Sequence, residues 1–326
     1  MILVTGAGGQ VGRELLRLAV TPAVRPAAAT VAGIAVPGPT GALPAGAAVA
    51  DGQALTVVGL ARAALDITDA AAVAAALREH GARLVINAAA WTDVDGAERA
   101  PAAAFAANRD GPGVLAAACA AAAIPLLHLS TDHVFDGRRG RPWREDDELS
   151  PLGVYGRSKA AGEAAIRARL PAHVILRTSW VFGAQGRNFV KTLLARARAG
   201  EALAMVGDQV GGPTPAAALA AALLALAARH LAGAGLPWGT YHLAGRPCLS
   251  RHAFAQTVLA AAQARGLLAT VPPLQEITAA AWPGASLRPA NACLDCTRAE
   301  RRLGLVAPDW RAGLAAVLDE LAVPER

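Results

Sequence analysis

Two tyrosines and two lysines occur in the 326 residues of this chain, and one of each stands in Tyr155-Gly156-Arg157-Ser158-Lys159. In so sparse a set a chance Tyr-x-x-x-Lys pairing arises on the order of one time in a hundred. All other residues among the 31 Lys and Arg are arginine, so Lys159 is expected where a compact ammonium on a flexible stem does what a guanidinium fork does not. A phenol four residues before an amine is an acid/base pair. The ammonium is expected to lower the phenol's pKa, which makes Tyr155 a candidate general acid with Lys159 as its partner.

Such a pair needs elements to position it. The chain opens with an apolar strand, Ile2-Leu3-Val4-Thr5, followed by Gly6-Ala7-Gly8-Gly9-Gln10-Val11-Gly12 and the amphipathic run Arg13 to Leu18. Gly6, Gly9 and Gly12 are spaced so that the backbone can approach a pyrophosphate at a helix N-terminus, the arrangement of a dinucleotide-binding turn. A second strand, Leu55 to Leu60, runs into Ala61 and Arg62 rather than the acidic residue that would hold ribose hydroxyls, which leans the cofactor toward NADPH over NADH. Arg62 either pairs with a 2′-phosphate or is a solvated surface arginine.

Further along, Asp66-Ile67-Thr68-Asp69 reads as the cap of a helix running to about Glu79, and Arg83 to Asn87 as a buried strand. A helix over 101–122, a strand Pro125 to Ser130 and a helix from near Tyr155 continue the alternation. The pattern predicts an α/β fold, a Rossmann-like doubly wound parallel sheet with a smaller C-terminal substrate-binding cap domain. The expected division is a dinucleotide-binding domain over 1–180 and mainly the cap over 181–326, with part of 205–245 returning to the first domain. Residues 21–54, rich in Ala, Gly and Pro, read as a flexible surface insertion.

The composition narrows the class. The formal charge is +6, but the arginines are scattered, so solvated faces explain them better than a nucleic-acid surface does. Cys119, Cys248, Cys293 and Cys296 are too few and too uneven for a disulfide framework and fit a reducing compartment. Cys293-x-x-Cys296 resembles half a zinc site or a redox pair, but no second pair lies nearby; plain thiols are the expectation and no metal is assigned. The N-terminus lacks a basic n-region, and the apolar stretches 113–127 and 215–228 are too short or Pro-broken for a bilayer. A cytoplasmic protein, away from membranes, is expected.

In such sheets ligands sit beyond the carboxyl ends of the strands. Those ends carry Gly6 to Gly12, then Asn87-Ala88-Ala89-Ala90-Trp91-Thr92-Asp93-Val94-Asp95, then Ser130-Thr131-Asp132-His133-Val134-Phe135-Asp136-Gly137. Together with Tyr155-x-x-x-Lys159 they resemble an extended short-chain dehydrogenase/reductase. Within that group Leu65-Asp66-Ile67-Thr68, Val94-Asp95-x-Ala97-Glu98, Arg177-Thr178-Ser179-Trp180-Val181-Phe182-Gly183, Asn188-Phe189-Val190, Asp208-Gln209-x-Gly211-x-Pro213-Thr214 and Arg288-Pro289-x-Asn291 resemble the dTDP-4-dehydrorhamnose reductases. The similarity extends over nearly the whole chain except 21–54.

The resemblance implies reduction of the 4-keto group of dTDP-4-dehydro-β-L-rhamnose by hydride from NADPH or NADH. Tyr155 would protonate the C4 oxygen, Lys159 would hold the nicotinamide ribose, and Thr131 or Ser130 would hydrogen-bond the same oxygen. Gly6, Gly9, Gln10, Val11 and Gly12 would meet the pyrophosphate, Asp66 and Ile67 the adenine side, and Ala90, Trp91 and Thr92 the middle of the cofactor. Ser130, Asp132, His133, Trp180, Asn188 and Arg288 would face the dTDP-sugar, with Gln209 and Thr214 as further cap contacts. Trp180 is otherwise a core aromatic, and His133, where the family usually has tyrosine, is otherwise a loop histidine. Dehydratases of sugar nucleotides carry glutamate at that place, so its absence counts against dehydration. Two other readings stay open: a reductase of another nucleotide 4-keto-deoxysugar, and a non-catalytic NADP-binding subunit like the regulatory one of methionine adenosyltransferase. The resemblance leaves monomer or homodimer open.

Overall fold

Strands that are apolar along their whole length can be buried only where both faces are covered, and that condition shapes the first half of the molecule. The computed structural model describes residues 1–20, 55–281 and 286–323; the insertion expected over 21–54 lies outside the described residues. The chain begins with β1 (Ile2–Thr5), α1 (Gln10–Val20), β2 (Val57–Leu60), α2 (Ala70–Glu79) and β3 (Leu84–Asn87). Asp69 caps α2 by accepting from the N–H groups of Ala71 and Ala72. Two short helices, α3 (Val94–Arg99) and α4 (Pro101–Phe105), lead through a π turn at Ala106–Asp110 into α5 (Gly111–Ala121). Then come β4 (Leu126–Thr131), a 3-10 turn at Asp132–Val134, α6 (Val154–Arg169) and β5 (His173–Thr178).

The single helix expected over 101–122 is therefore three pieces. Pro112 has no N–H to give to the Asn108 carbonyl, so the α-helical ladder is interrupted there and the chain widens into the π turn.

The second half adds β6 (Val181–Phe182), α7 (Phe189–Arg198), β7 (Leu203–Val206), β8 (Val210–Gly211), β9 (Thr214–Pro215), α8 (Ala216–Leu231) and β10 (Gly239–His242). It closes with β11 (Leu249–Ser250), α9 (Arg251–Gln263), β12 (Leu274–Ile277), β13 (Asn291–Ala292), α10 (Thr297–Leu303) and α11 (Trp310–Ala322).

The central sheet has six strands in the order β10-β5-β4-β3-β1-β2, every pair parallel. Strand order reverses at β1, which puts a crevice at the carboxyl ends of β1 and β3. Helices α1 and α8 cover one face of the sheet, and α2, α5 and α6 cover the other. β10 comes from beyond residue 180, yet it completes the sheet against β5, and α8 packs on α1.

A separate core gathers Phe182, Leu193, Leu203, Phe254 and Trp310 between α7, α9 and α11. Small sheets, β11-β8-β13, β12-β7 and β6-β9, border it. Cys248 and Cys293, on either side of β8, form a disulfide with Cα atoms 6.1 Å apart, while Cys296 and Cys119 are buried and free. The plain-thiol expectation is thus corrected for Cys248 and Cys293: the flanking strands β11 and β13 bring together two residues 45 apart in sequence. Among the described residues no cluster of three or more His, Cys, Asp or Glu is placed to hold a metal, and no helix is long and apolar enough to cross a membrane.

Candidate active site

The first wall of the crevice is the turn between β1 and α1. Gly6 has φ +72°, and a Cβ there would lie 2.4 Å from the Ala89 nitrogen, so only glycine lets β1 end against the loop after β3. A Cβ on Gly12 would come within 2.2 Å of the Gly6 carbonyl oxygen, so α1 can start this close to the turn only with glycine. Gly8 and Gly9 are exposed beside it. The first-turn N–H groups of α1 have no partner within the helix and face the crevice, as an anion requires. Gln10 Oε1 is buried without a partner, close to Gly183 and Gly186. A glycine cradle and a helix N-terminus fit the pyrophosphate of a dinucleotide.

Of the other expected cofactor contacts, Arg62, Asp66, Ala90 and Thr92 are exposed at the strand ends and Trp91 is half-buried. Asp66 accepts from the Thr68 amide and hydroxyl, which holds its pKa below the usual carboxylate value. The side chains of Val11 and Ile67 are buried in the two sheet-face cores, which leaves only their backbone for a ligand.

The candidate catalytic residues stand across the crevice. Thr131 ends β4; its hydroxyl donates to Asp132 Oδ1 at 2.8 Å and accepts from the His133 amide at 3.2 Å. Tyr155, in the first turn of α6, lies beside Thr131, and the His133 ring meets its ring edge-on at 5.3 Å. Burial holds the Tyr155 pKa up at about 12, with Thr131 pulling the other way. Lys159 lies one turn on, 2 % exposed, with Nζ 2.6 Å from the Leu129 carbonyl oxygen that accepts from it. Burial depresses the Lys159 pKa to about 8, against the pull of Glu163. The expectation of a lowered Tyr155 pKa is corrected: desolvation, helped by the Asp132 charge, outweighs Thr131, so Tyr155 is held as a phenol and Lys159 is the group brought toward neutrality.

The residues expected to face a substrate lie after β5 and at the start of α9. Trp180 has φ +46°, an uncommon backbone for so large a residue, and its ring lies on Gly211, where a Cβ would be 2.4 Å from Cε2. The Arg251 guanidinium stacks on the Trp180 ring at 4.0 Å. Burial, with Arg288 nearby, lowers the Arg251 pKa to about 10. Arg288 is paired to Asp95 at 3.1 Å, and Ser286 also bonds that carboxylate. The Nε atoms of Arg251 and Arg288 are both buried without a partner, and so is Asp132 Oδ2. Two guanidinium groups with unused donors are suited to phosphate oxygens.

Three expected contacts are engaged elsewhere. Ser130 donates to Glu163 Oε1 at 2.6 Å, inside a buried network where Arg177 grips the same carboxylate at 2.8 and 2.7 Å. Strand alternation turns Ser130 away from the face that Thr131 presents. Asn188 caps α7, accepting from the Lys191 amide and donating to the Gly183 carbonyl. Thr214 is likewise engaged with Gly212 and Gly245.

Sequence reading missed Arg251, Asn108 and His128. Asn108, fully buried in the π turn, bonds both backbone groups of Trp91 and the Ser158 hydroxyl, joining the cofactor edge to α6. The signal was a polar cluster, Asn108-Arg109-Asp110, closing an alanine run just before Pro112.

A nucleotide-binding parallel sheet whose first turn is glycine-lined, with Tyr155, Lys159 and Thr131 facing it, defines a short-chain dehydrogenase/reductase of the extended type. The family model for the RmlD substrate binding domain matches residues 1–323. dTDP-4-dehydrorhamnose reductase of Aggregatibacter actinomycetemcomitans is 37% identical over 313 residues, 96% of each chain. That of Streptomyces griseus is 44% identical over 241 residues, 74% of this chain and 69% of the other. The solved dTDP-4-dehydrorhamnose reductase of Clostridium acetobutylicum has a TM-score of 0.81 at 30% identity, covering 99% of both chains. The Bacillus anthracis reductase, solved with NADP, gives a TM-score of 0.79 at 26% identity over 98% of both. The chain belongs to the RmlD substrate-binding-domain family, that of the dTDP-4-dehydrorhamnose reductases.

Proposed function

We propose that the protein reduces the 4-keto group of dTDP-4-dehydro-β-L-rhamnose, giving dTDP-β-L-rhamnose. The glycine turn and the α1 N-terminus would hold the pyrophosphate of a reduced nicotinamide dinucleotide, which would supply the hydride for C4. Tyr155 gives its proton to the C4 oxygen as that oxygen gains charge, and a phenol held protonated by burial is the donor form this requires. Thr131, whose hydroxyl donates to Asp132 Oδ1, lies beside Tyr155 and would help position the C4 oxygen. Lys159 and the α1 N-terminus hold the cofactor. Arg251 and Arg288 take the diphosphate of the sugar nucleotide, and Trp180 walls the deoxysugar.

We assign cofactor binding to residues 1–180 with the returning α8 and β10, and the sugar nucleotide mainly to the rest of 181–326. The absence of an acidic residue after β2, with Arg62 exposed there, favours NADPH over NADH. A cytoplasmic location is what this cofactor and substrate imply.

The observation that carries the reading is the Thr131-Tyr155-Lys159 group at the mouth of the dinucleotide crevice. Its test is cofactor oxidation with the dTDP-4-keto sugar, using NADPH and then NADH. Tyr155→Phe should lower turnover by about 10²-fold or more with cofactor affinity nearly unchanged. Near-normal turnover in that variant would sink the mechanism, and preference for another nucleotide 4-keto sugar would move the substrate assignment.

A further inference from the structure

We propose that His128 is a positioning residue for Lys159, locked by Asn87 as the Nε2–H tautomer so that it opposes an ammonium at the Lys159 position. The argument starts from a backbone amide, which can only donate. Ala89 N–H donates to Asn87 Oδ1 at 3.0 Å, and the Thr5 hydroxyl donates to the same oxygen at 2.7 Å. That fixes which end of the Asn87 amide is oxygen. The other end, Nδ2, is 2.9 Å from His128 Nδ1 and can only donate, so Nδ1 carries a lone pair. Burial holds the His128 pKa well below its ordinary value, so the ring is neutral and its one proton is on Nε2.

Nε2 lies 3.3 Å from Lys159 Nζ. An ammonium has three donors and no acceptor, so it would set an N–H against an N–H. An amine offers its lone pair to Nε2–H and still donates to the Leu129 carbonyl. Thr5, Asn87, His128 and Lys159 thus form one buried line across β1, β3, β4 and α6.

The other groups around Lys159 do not supply this selectivity. Glu163, one turn on, favours the ammonium, but Arg177 and Arg167 share its charge. Tyr155 lies one turn before and is held as a phenol. Asp132 and His133 in the turn after β4 face Tyr155 and Arg251. Glu98 of α3 accepts from the Val154 amide, and Arg109 and Asp110 pair with each other at the surface. His173 of β5 is on the His128 side, tied to the Leu170 carbonyl and itself pushed toward neutrality by burial. The consequence is that Lys159, at about 8, can give up and regain a proton in the working range instead of standing as a fixed cation. Its use in turnover rests on the reductase reading; its test does not.

The chain has only two lysines, so ¹³C,¹⁵N-lysine labelling yields two side-chain signals, and Lys191→Arg leaves Lys159 alone. The titration is read on the free protein, without substrate. His128→Gln can turn a carbonyl toward Nζ and should raise the Lys159 midpoint by about one pH unit or more. Asn87→Asp should accept a proton from Nδ1, switch the ring tautomer and hand Nε2's lone pair to the ammonium, raising the midpoint likewise. Long-range ¹H–¹⁵N spectra of the seven histidines should show His128 as Nε2–H in the wild type and Nδ1–H in Asn87→Asp. An Nδ1–H ring in the wild type, or one Lys159 midpoint shared by all variants, overturns the proposal. The wild-type tautomer decides the matter even where His128→Gln fails to fold.

Discussion

At the scale of single residues the site divides into groups that sequence announces and groups that only folding assembles. Tyr155 and Lys159 were visible because they are rare and four apart. Thr131 was visible at a strand end, although Ser130 beside it was equally eligible until the strand chose a face. Arg251 had no signal: an arginine among many, it matters because α9 lays it over Trp180, 71 residues earlier, with its Nε unmet. Replacing it with leucine keeps an apolar cover on the indole but removes the donors. Arg251→Leu should raise KM for the sugar nucleotide about 10-fold or more while kcat changes far less, as loss of a ground-state phosphate contact does. An unchanged KM in steady-state kinetics would reduce Arg251 to a packing role.

Among the elements, α6 determines how tightly the chemistry is held. Two glycines let it sit closer to its neighbours than any other residue could: a Cβ on Gly156 would be 2.2 Å from the His133 carbonyl oxygen, and one on Gly162 would be 2.0 Å from that of Asn108. The second approach depends on the π turn, which bulges toward α6. Gly162→Ala should therefore cost about 1–3 kcal/mol in denaturant unfolding and lower kcat, because the helix that tilts away carries Tyr155 and Lys159. Wild-type stability in that variant would mean that the π turn yields without strain. The strand–helix alternation was legible because each segment carries its own period. The break inside 101–122 was not, since an alanine run shows no face, and Asn108 acquires its partners 17 and 50 residues away only when α6 docks.

For the molecule as a whole, buried neutral histidines tie stability to pH. His128 and His242 are both fully buried. His242 is held between the Trp143 carbonyl and the Arg177 guanidinium, and desolvation lowers its pKa to about 3; His128 is lowered in the same direction. Both rings stay neutral in the fold but take up protons in the unfolded chain below about pH 6.5. Their contribution is complete above that value and is lost as pH falls from it toward the folded pKa, at about 1.4 kcal/mol per pH unit for each ring. Urea unfolding at pH 7.5 and pH 5 should show the loss, and His242→Gln should reduce the slope; equal stability at both values would contradict it. None of this could be read from composition, because what neutralises these rings is the depth at which the sheet places them.

The return of β10 to the sheet has a consequence for how such a protein could change its substrate by recombination. The parts assigned above to the sugar nucleotide lie on both sides of α8 and β10, with Trp180 and β6 to β9 before them and β11, α9 and Arg288 after them, while α8 and β10 themselves belong to the central sheet. A single crossover after β5 would import a foreign α8 onto the resident α1 and a foreign edge strand onto β5. A workable exchange between relatives would therefore need one crossover after β5, a second before α8 and a third after β10, so on the proposed assignment substrate preference is inherited in two cassettes and not one.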